Sequence, residues 1–125
     1  MFNVYSREIA DVEPILILKG AASLSLGMAA KMTAGQLEKA GSTDKPTHII
    51  MGPGKTVDSD VLYPAIRVLP TTTFAAPSSE AVDTVGKVVT LGADALSVTN
   101  TDTSGVFTVT DTENKANTLV LGYFA

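Results

Sequence analysis

The chain contains no cysteine and no tryptophan, has a single histidine, His48, and shows no run of basic residues. Without cysteine there is no disulfide, no thiolate nucleophile and no Cys-ligated zinc or iron–sulfur site. One histidine excludes a His-based metal cluster, and it becomes a general base only if the fold brings a carboxylate to it. The nine Lys and Arg residues are strung singly from Arg7 to Lys115 against thirteen acids, for a net charge of −4. Binding to nucleic acid depends on clustered cations that release phosphate counterions, so no nucleic-acid partner is expected. Long apolar runs are also missing. The longest, Ile15 to Leu18, falls far short of the roughly 20 residues that span a bilayer, so no membrane association is expected. The opening stretch, MFNVYSREIADVEP, carries Arg7 and three acids before any apolar run. That is unlike a secretory signal, and synthesis in a cytoplasm is the expectation.

What is present suits one folded body. At 125 residues, with 45% hydrophobic and 18% charged residues, the chain can close one core and lacks the charge excess of a disordered segment. Residues 1–14 show no sustained period and end at Pro14, which suggests an extended N-terminal arm followed by a single β domain over 15–125. Ile15-Leu16-Ile17-Leu18 reads as a strand apolar on both faces, closed by Gly20. Residues 24–40 leave two readings open. Their Ala, Met, Leu, Lys and Glu favour a helix, but Gly27 and Gly35 interrupt it, and a hairpin from Met28 to Met32, turning at Thr33-Ala34-Gly35 and returning over Gln36 to Lys39, is preferred.

After the loop Gly41 to Pro46, Thr47-His48-Ile49-Ile50-Met51 has strand composition. Val61 to Leu69 alternates, although Pro64 inside it argues for an edge strand or a bulge. Residues 70–86 hold two prolines and many small polar residues, and are expected to form a long surface connection around Phe74. Short β-rich runs then follow at Lys87 to Leu91, Leu96 to Thr99, Gly105 to Thr110 and Thr118 to Phe124. That spacing indicates a small, mainly β barrel or sandwich.

Candidate chemistry is sparse. Gly52-Pro53-Gly54-Lys55-Thr56 resembles the end of a phosphate-binding loop, but the first glycine of that motif is replaced by Ile49, and Pro64 follows too soon for the required helix. A turn is the simpler reading. Asp58 and Asp60 lack the glycine and terminal glutamate of a calcium-binding EF-hand loop. Asp102, Asp111 and Glu113 flank turns, where Asx-type hydrogen bonds account for them, and no Gly-x-Ser-x-Gly elbow occurs. No catalytic set, cofactor site or metal site is predicted. Most of the seven aromatic residues fit a core. The exceptions are Phe2, Val4, Tyr5 and Ile9 in the arm, which gain by burial against a partner as an added strand, and Phe74 as a second anchor. On that reading, deletion of residues 1–10 leaves the domain folded.

Two stretches carry a resemblance. Lys19-Gly20-Ala21-Ala22-Ser23-Leu24-Ser25-Leu26-Gly27-Met28-Ala29-Ala30-Lys31, followed by Gly35-Gln36-Leu37-Glu38-Lys39-Ala40 and Lys45-Pro46-Thr47-His48-Ile49, resembles the head decoration proteins of tailed phages. So do Val85-Gly86-Lys87-Val88-Val89-Thr90-Leu91, Leu96-Ser97-Val98-Thr99 and Gly105-Val106-Phe107-Thr108-Val109. The resemblance implies a non-enzymatic virion protein, often trimeric, that sits on the capsid exterior, bridges major capsid protein subunits and stabilises the head. Such cementing is multivalent, so modest contacts suffice. The alternatives are another virion β protein, such as a head fibre base or tail component, or a small carbohydrate- or ligand-binding module. The absence of tryptophan gives little support to the last.

Overall fold

The computed structural model describes residues 1–8 and 15–125. Among these there are eleven strands and no helix: β1 (Asn3–Arg7), β2 (Leu16–Gly20), β3 (Ala29–Thr33), β4 (Gln36–Lys39), β5 (His48–Ile50), β6 (Lys55–Val57), β7 (Asp60–Arg67), β8 (Thr72–Ser78), β9 (Val88–Val89), β10 (Phe107–Asp111) and β11 (Thr118–Phe124). The expected mainly β fold forms, and of the barrel or sandwich left open by the sequence it contains a closed barrel with an additional sheet.

The first half makes the barrel. Strands run β2-β4-β3-β5-β7, and β2 returns antiparallel onto β7, with Leu16 opposite Ala65 and Gly20 opposite Val61, which closes the ring. Strand β6 extends β7 as a hairpin. Residues 24–40 resolve as the β3–β4 hairpin, because Ala34 and Gly35 adopt φ of 50° and 83°, the left-handed pair that a two-residue turn between twisted strands requires. Leu18, Leu37, Ile50 and Tyr63 fill the barrel. The Tyr63 hydroxyl is satisfied by donating to the Ala21 carbonyl at 2.7 Å and accepting the Leu24 N–H at 3.3 Å.

The second half, with the N-terminus, makes a five-stranded sheet in the order β1-β8-β11-β10-β9. Its inner face carries Phe74, Phe107, Val109, Val120 and Phe124. Together with Ala29, Ile49 and Ile66 from the outside of the barrel, these form one continuous core. Gly105 and Gly122 permit the close approach of backbones, since a Cβ at either would lie 2.0 Å from the Val88 carbonyl oxygen or 2.3 Å from that of Thr108.

Four expectations need correction. Residues 1–8 are extended, as expected, but residues 3–7 are laid antiparallel along β8 with Asn3 opposite Ala75, and they share the core of the remaining chain. Residues 70–86 contain a central strand, β8, in which β-branched Thr72 and Thr73 are followed by apolar Phe74, Ala75 and Ala76. Its Pro77 is tolerated because its carbonyl, and with it the missing N–H, faces Val98 beyond the end of β1, so no ladder bond is lost. Pro64 likewise sits in a central strand, opposite the gap between β6 and β5, where its carbonyl accepts the Met51 N–H. Finally, Leu96 to Thr99 forms only isolated bridges through Val98.

Candidate contact surface

The residues proposed from sequence for partner contact separate sharply. Phe2 is 2% exposed and stacks within an aromatic cluster, its ring 5.9 Å from Phe107 and 5.5 Å from Phe124, while Phe74 is fully buried 5.7 Å from Phe124. Both are core residues, which corrects their assignment as anchors for a partner. Phe74 occupies an inward position of β8 and Phe2 lies just before β1, and hydrophobic burial holds both. Val4 packs against the same core. Tyr5 alone stands out, 64% exposed, at a bulge between Val4 and Ser6 where the pairing with β8 slips by one residue. Bulges commonly re-aim a side chain in this way. Ile9 lies outside the described residues.

Around Tyr5 the register assembles a surface that the sequence reading missed. Asn3 and Ser6 of β1 lie opposite Ala75 and Thr73 of β8. Ala75 and Pro77 lie opposite Leu121 and Leu119 of β11, and Tyr123 lies opposite Thr108 of β10, itself opposite Val88 of β9. All of these point away from the barrel. Leu119 is 59% exposed, Val88 is exposed, and Leu121 and Tyr123 are half-buried. Within the paired strands, the one charged residue assigned to this face is Asp111, at the end of β10. Thr118 to Phe124 carries the signal that could have found it. Leu119, Leu121 and Tyr123 are as apolar as Val120 and Phe124, and a strand apolar on both faces is normally covered on both.

A second exposed apolar pair lies on the barrel. Leu16 and Leu18 turn toward its interior, but Ile15 and Ile17 are exposed, with Ile17 opposite Pro64. The strand expected here is apolar on both faces, but only one of them is covered, because the sheet packs on the β3–β5 side of the barrel and leaves β2 open.

The motifs weighed for chemistry are placed as follows. Gly52-Pro53-Gly54 is a turn leading into the exposed strand β6, with no helix after it, and Gly54 is required because a Cβ there would lie 2.7 Å from the Tyr63 ring. Asp58 occupies the β6–β7 turn with φ of 55°, and Asp60 pairs with Lys19 at 3.2 Å. Among the described residues, no three His, Asp or Glu side chains are grouped to hold a metal ion. His48 starts β5, 9% exposed, with Nδ1 2.9 Å from Thr47 Oγ1. Burial, and secondarily the Arg67 charge, hold its pKa below the ordinary value. No protein-family model matches the chain, and no curated protein matches it significantly.

Proposed function

We propose that the protein is a structural binding module that docks on an ordered protein surface, and specifically a phage head decoration protein on the exterior of the major capsid protein lattice. The observation that supports this reading is the outer face of the five-stranded sheet. It carries little charge and holds Tyr5, Val88, Leu119, Leu121 and Tyr123 among small polar residues, on a protein of net charge −4, and exposed apolar patches rimmed by polar residues are a mark of interaction sites. Tyr5, Leu119 and Tyr123 have the character of interface anchors, since rigid aromatics and aliphatics bury much area for little lost conformational freedom. The sequence resemblance supplies the identity of the partner.

Trimerisation of the decoration protein, as the resemblance implies, would multiply this contact at each lattice position. The test is co-sedimentation of the purified protein with expanded heads lacking decoration. Wild type is expected to bind at stoichiometric levels. Leu119→Glu, whose side chain is 59% exposed and so leaves folding intact by circular dichroism, is expected to lose at least about tenfold in affinity. Unaltered binding by Leu119→Glu would remove this face from the contact. No binding by wild type to any head would remove the decoration reading itself.

A further inference from the structure

The basic residues, evenly spread in sequence, are not evenly spread in space. Along one rim of the barrel, cross-strand register lines up Lys39 of β4 with Ala30 of β3, Ala30 with His48 of β5, and His48 with Arg67 of β7. Strands lie about 4.8 Å apart, so His48 and Arg67 are immediate neighbours, and Lys39 stands two strands away. Lys45 joins them from the loop before β5. A depression of about 440 Å³ opens here, lined by Lys45, Pro46, Thr47, His48, Arg67 and Val68. Among the described residues, no carboxylate lines it.

Among the described residues, Asp44 and Glu38 are directed toward other groups. Asp44 accepts from Lys31 Nζ at 2.7 Å and from the Gly41 N–H at 2.8 Å. Glu38 stands opposite Lys31, on the other face of the β3–β4 hairpin. Among the described residues, Lys39, Lys45 and Arg67 form no ion pair. The polar groups of Thr47 are also occupied: its N–H donates to the Ala30 carbonyl, its carbonyl accepts the Val68 N–H, and its Oγ1 accepts the Met32 N–H and contacts His48 Nδ1. The unused polar groups of the depression are then the second ring nitrogen of His48, the Arg67 guanidinium and the Lys45 ammonium. When Thr47 donates its hydroxyl proton to Nδ1, the neutral ring carries its own proton on Nε2, and all three groups are donors.

We propose that Lys45, His48 and Arg67 form a receptor for an oxyanion, a phosphate or a carboxylate, at the end of the barrel where β5 begins and β7 ends. Arg67 offers the planar, forked donor set that matches either group, Lys45 adds a mobile charge, and the largely buried ring of His48 lies below them. Two cations that line one depression are both favoured by an anion bound there. This role is independent of the sheet face used for docking.

His48 is the only histidine, so its ring resonances in the NMR spectrum report the site without ambiguity. Its pH titration is to be recorded in chloride, in inorganic phosphate at equal ionic strength, and with a capped tri-glutamate peptide. Bound anion is expected to raise the His48 pKa by roughly one unit or more, saturably, because an opposite charge now faces the ring. Arg67→Gln is expected to raise the pKa in chloride alone and to abolish most of the anion response. A response to phosphate but not to the peptide assigns a free small anion, and the reverse assigns an acidic segment of a partner. The absence of a saturable shift with both, or a full response in Arg67→Gln, overturns the proposal. So does a fall of the His48 pKa in chloride on Asp11→Asn/Glu13→Gln, which would show the chain's own carboxylates filling the receptor.

Discussion

Phe124 touches three other rings, Phe2, Phe74 and Phe107, at centroid distances of 5.5, 5.7 and 5.1 Å. It therefore joins residues from β8, β10, β11 and the N-terminus at one point. Phe124→Ala is expected to destabilise the protein by about 3–5 kcal/mol, the usual effect of emptying a buried aromatic site, measured by urea unfolding. His48 gives a different kind of prediction. Its folded pKa lies below the ordinary 6.5, so between those two values the unfolded chain holds the proton more firmly than the folded one. Stability is then complete above pH 6.5 and is lost as pH falls toward the folded value. The melting temperature is expected to drop as pH falls below the ordinary histidine value of 6.5, and His48→Gln should flatten that slope. Asp44 and Asp83, both held below their ordinary 3.8 by hydrogen bonds, lose their contribution only in more acid solution. At this scale the sequence made His48 legible as a residue starting a strand. It left Phe2 and Phe74 open to misreading, because a lone ring among polar neighbours looks the same in a contact arm as in an edge strand.

Among the elements, β1 departs most from what the sequence suggests. Its five residues carry one apolar and one aromatic side chain among polar ones, and only pairing with β8, itself obscured by Pro77, gives them a place. Removal of residues 1–8 should therefore destabilise the protein. The loss of Phe2 burial alone is worth about 2–3 kcal/mol, and the edge of β8 would be uncovered. A truncated protein with unchanged urea midpoint would show that β1 adds nothing to the core. The β3–β4 turn offers the opposite test. Ala34 holds a φ of 50° ahead of Gly35, a conformation that asparagine accepts more readily, so Ala34→Asn should stabilise by about 0.5 kcal/mol and raise the melting temperature. The hairpin was legible because Gly35 marks its turn. Strands β6 and β8 were not, because prolines and short runs mask a pairing supplied by distant partners.

Taken whole, barrel and sheet share one core, so they are expected to unfold together. Far-ultraviolet dichroism and tyrosine fluorescence should give superimposable urea transitions, and separate midpoints would show that the two halves are independently stable. The sequence indicated a small β fold through its regular turns. It left barrel and sandwich unresolved, because the β2–β7 pairing that closes the ring and the β1–β8 pairing that completes the sheet join segments remote in the chain, whose composition does not name their partners. The outer sheet face was hidden for a related reason. Alternation shows which residues of a strand share a side, but not which side meets the barrel.

The sheet order also bears on how the molecule is made. Strand β11 lies between β8 and β10, so the centre of the sheet is the part translated after every other strand described. Until residues 118–124 have left the ribosome, β1 and β8 on one side and β9 and β10 on the other have nothing to join them, and the inner face of the nascent sheet remains open to water. Folding of this half is therefore expected to wait until residues 118–124 have emerged. The non-local pairings that delay it also place the protein among the slower small folds, at milliseconds to seconds.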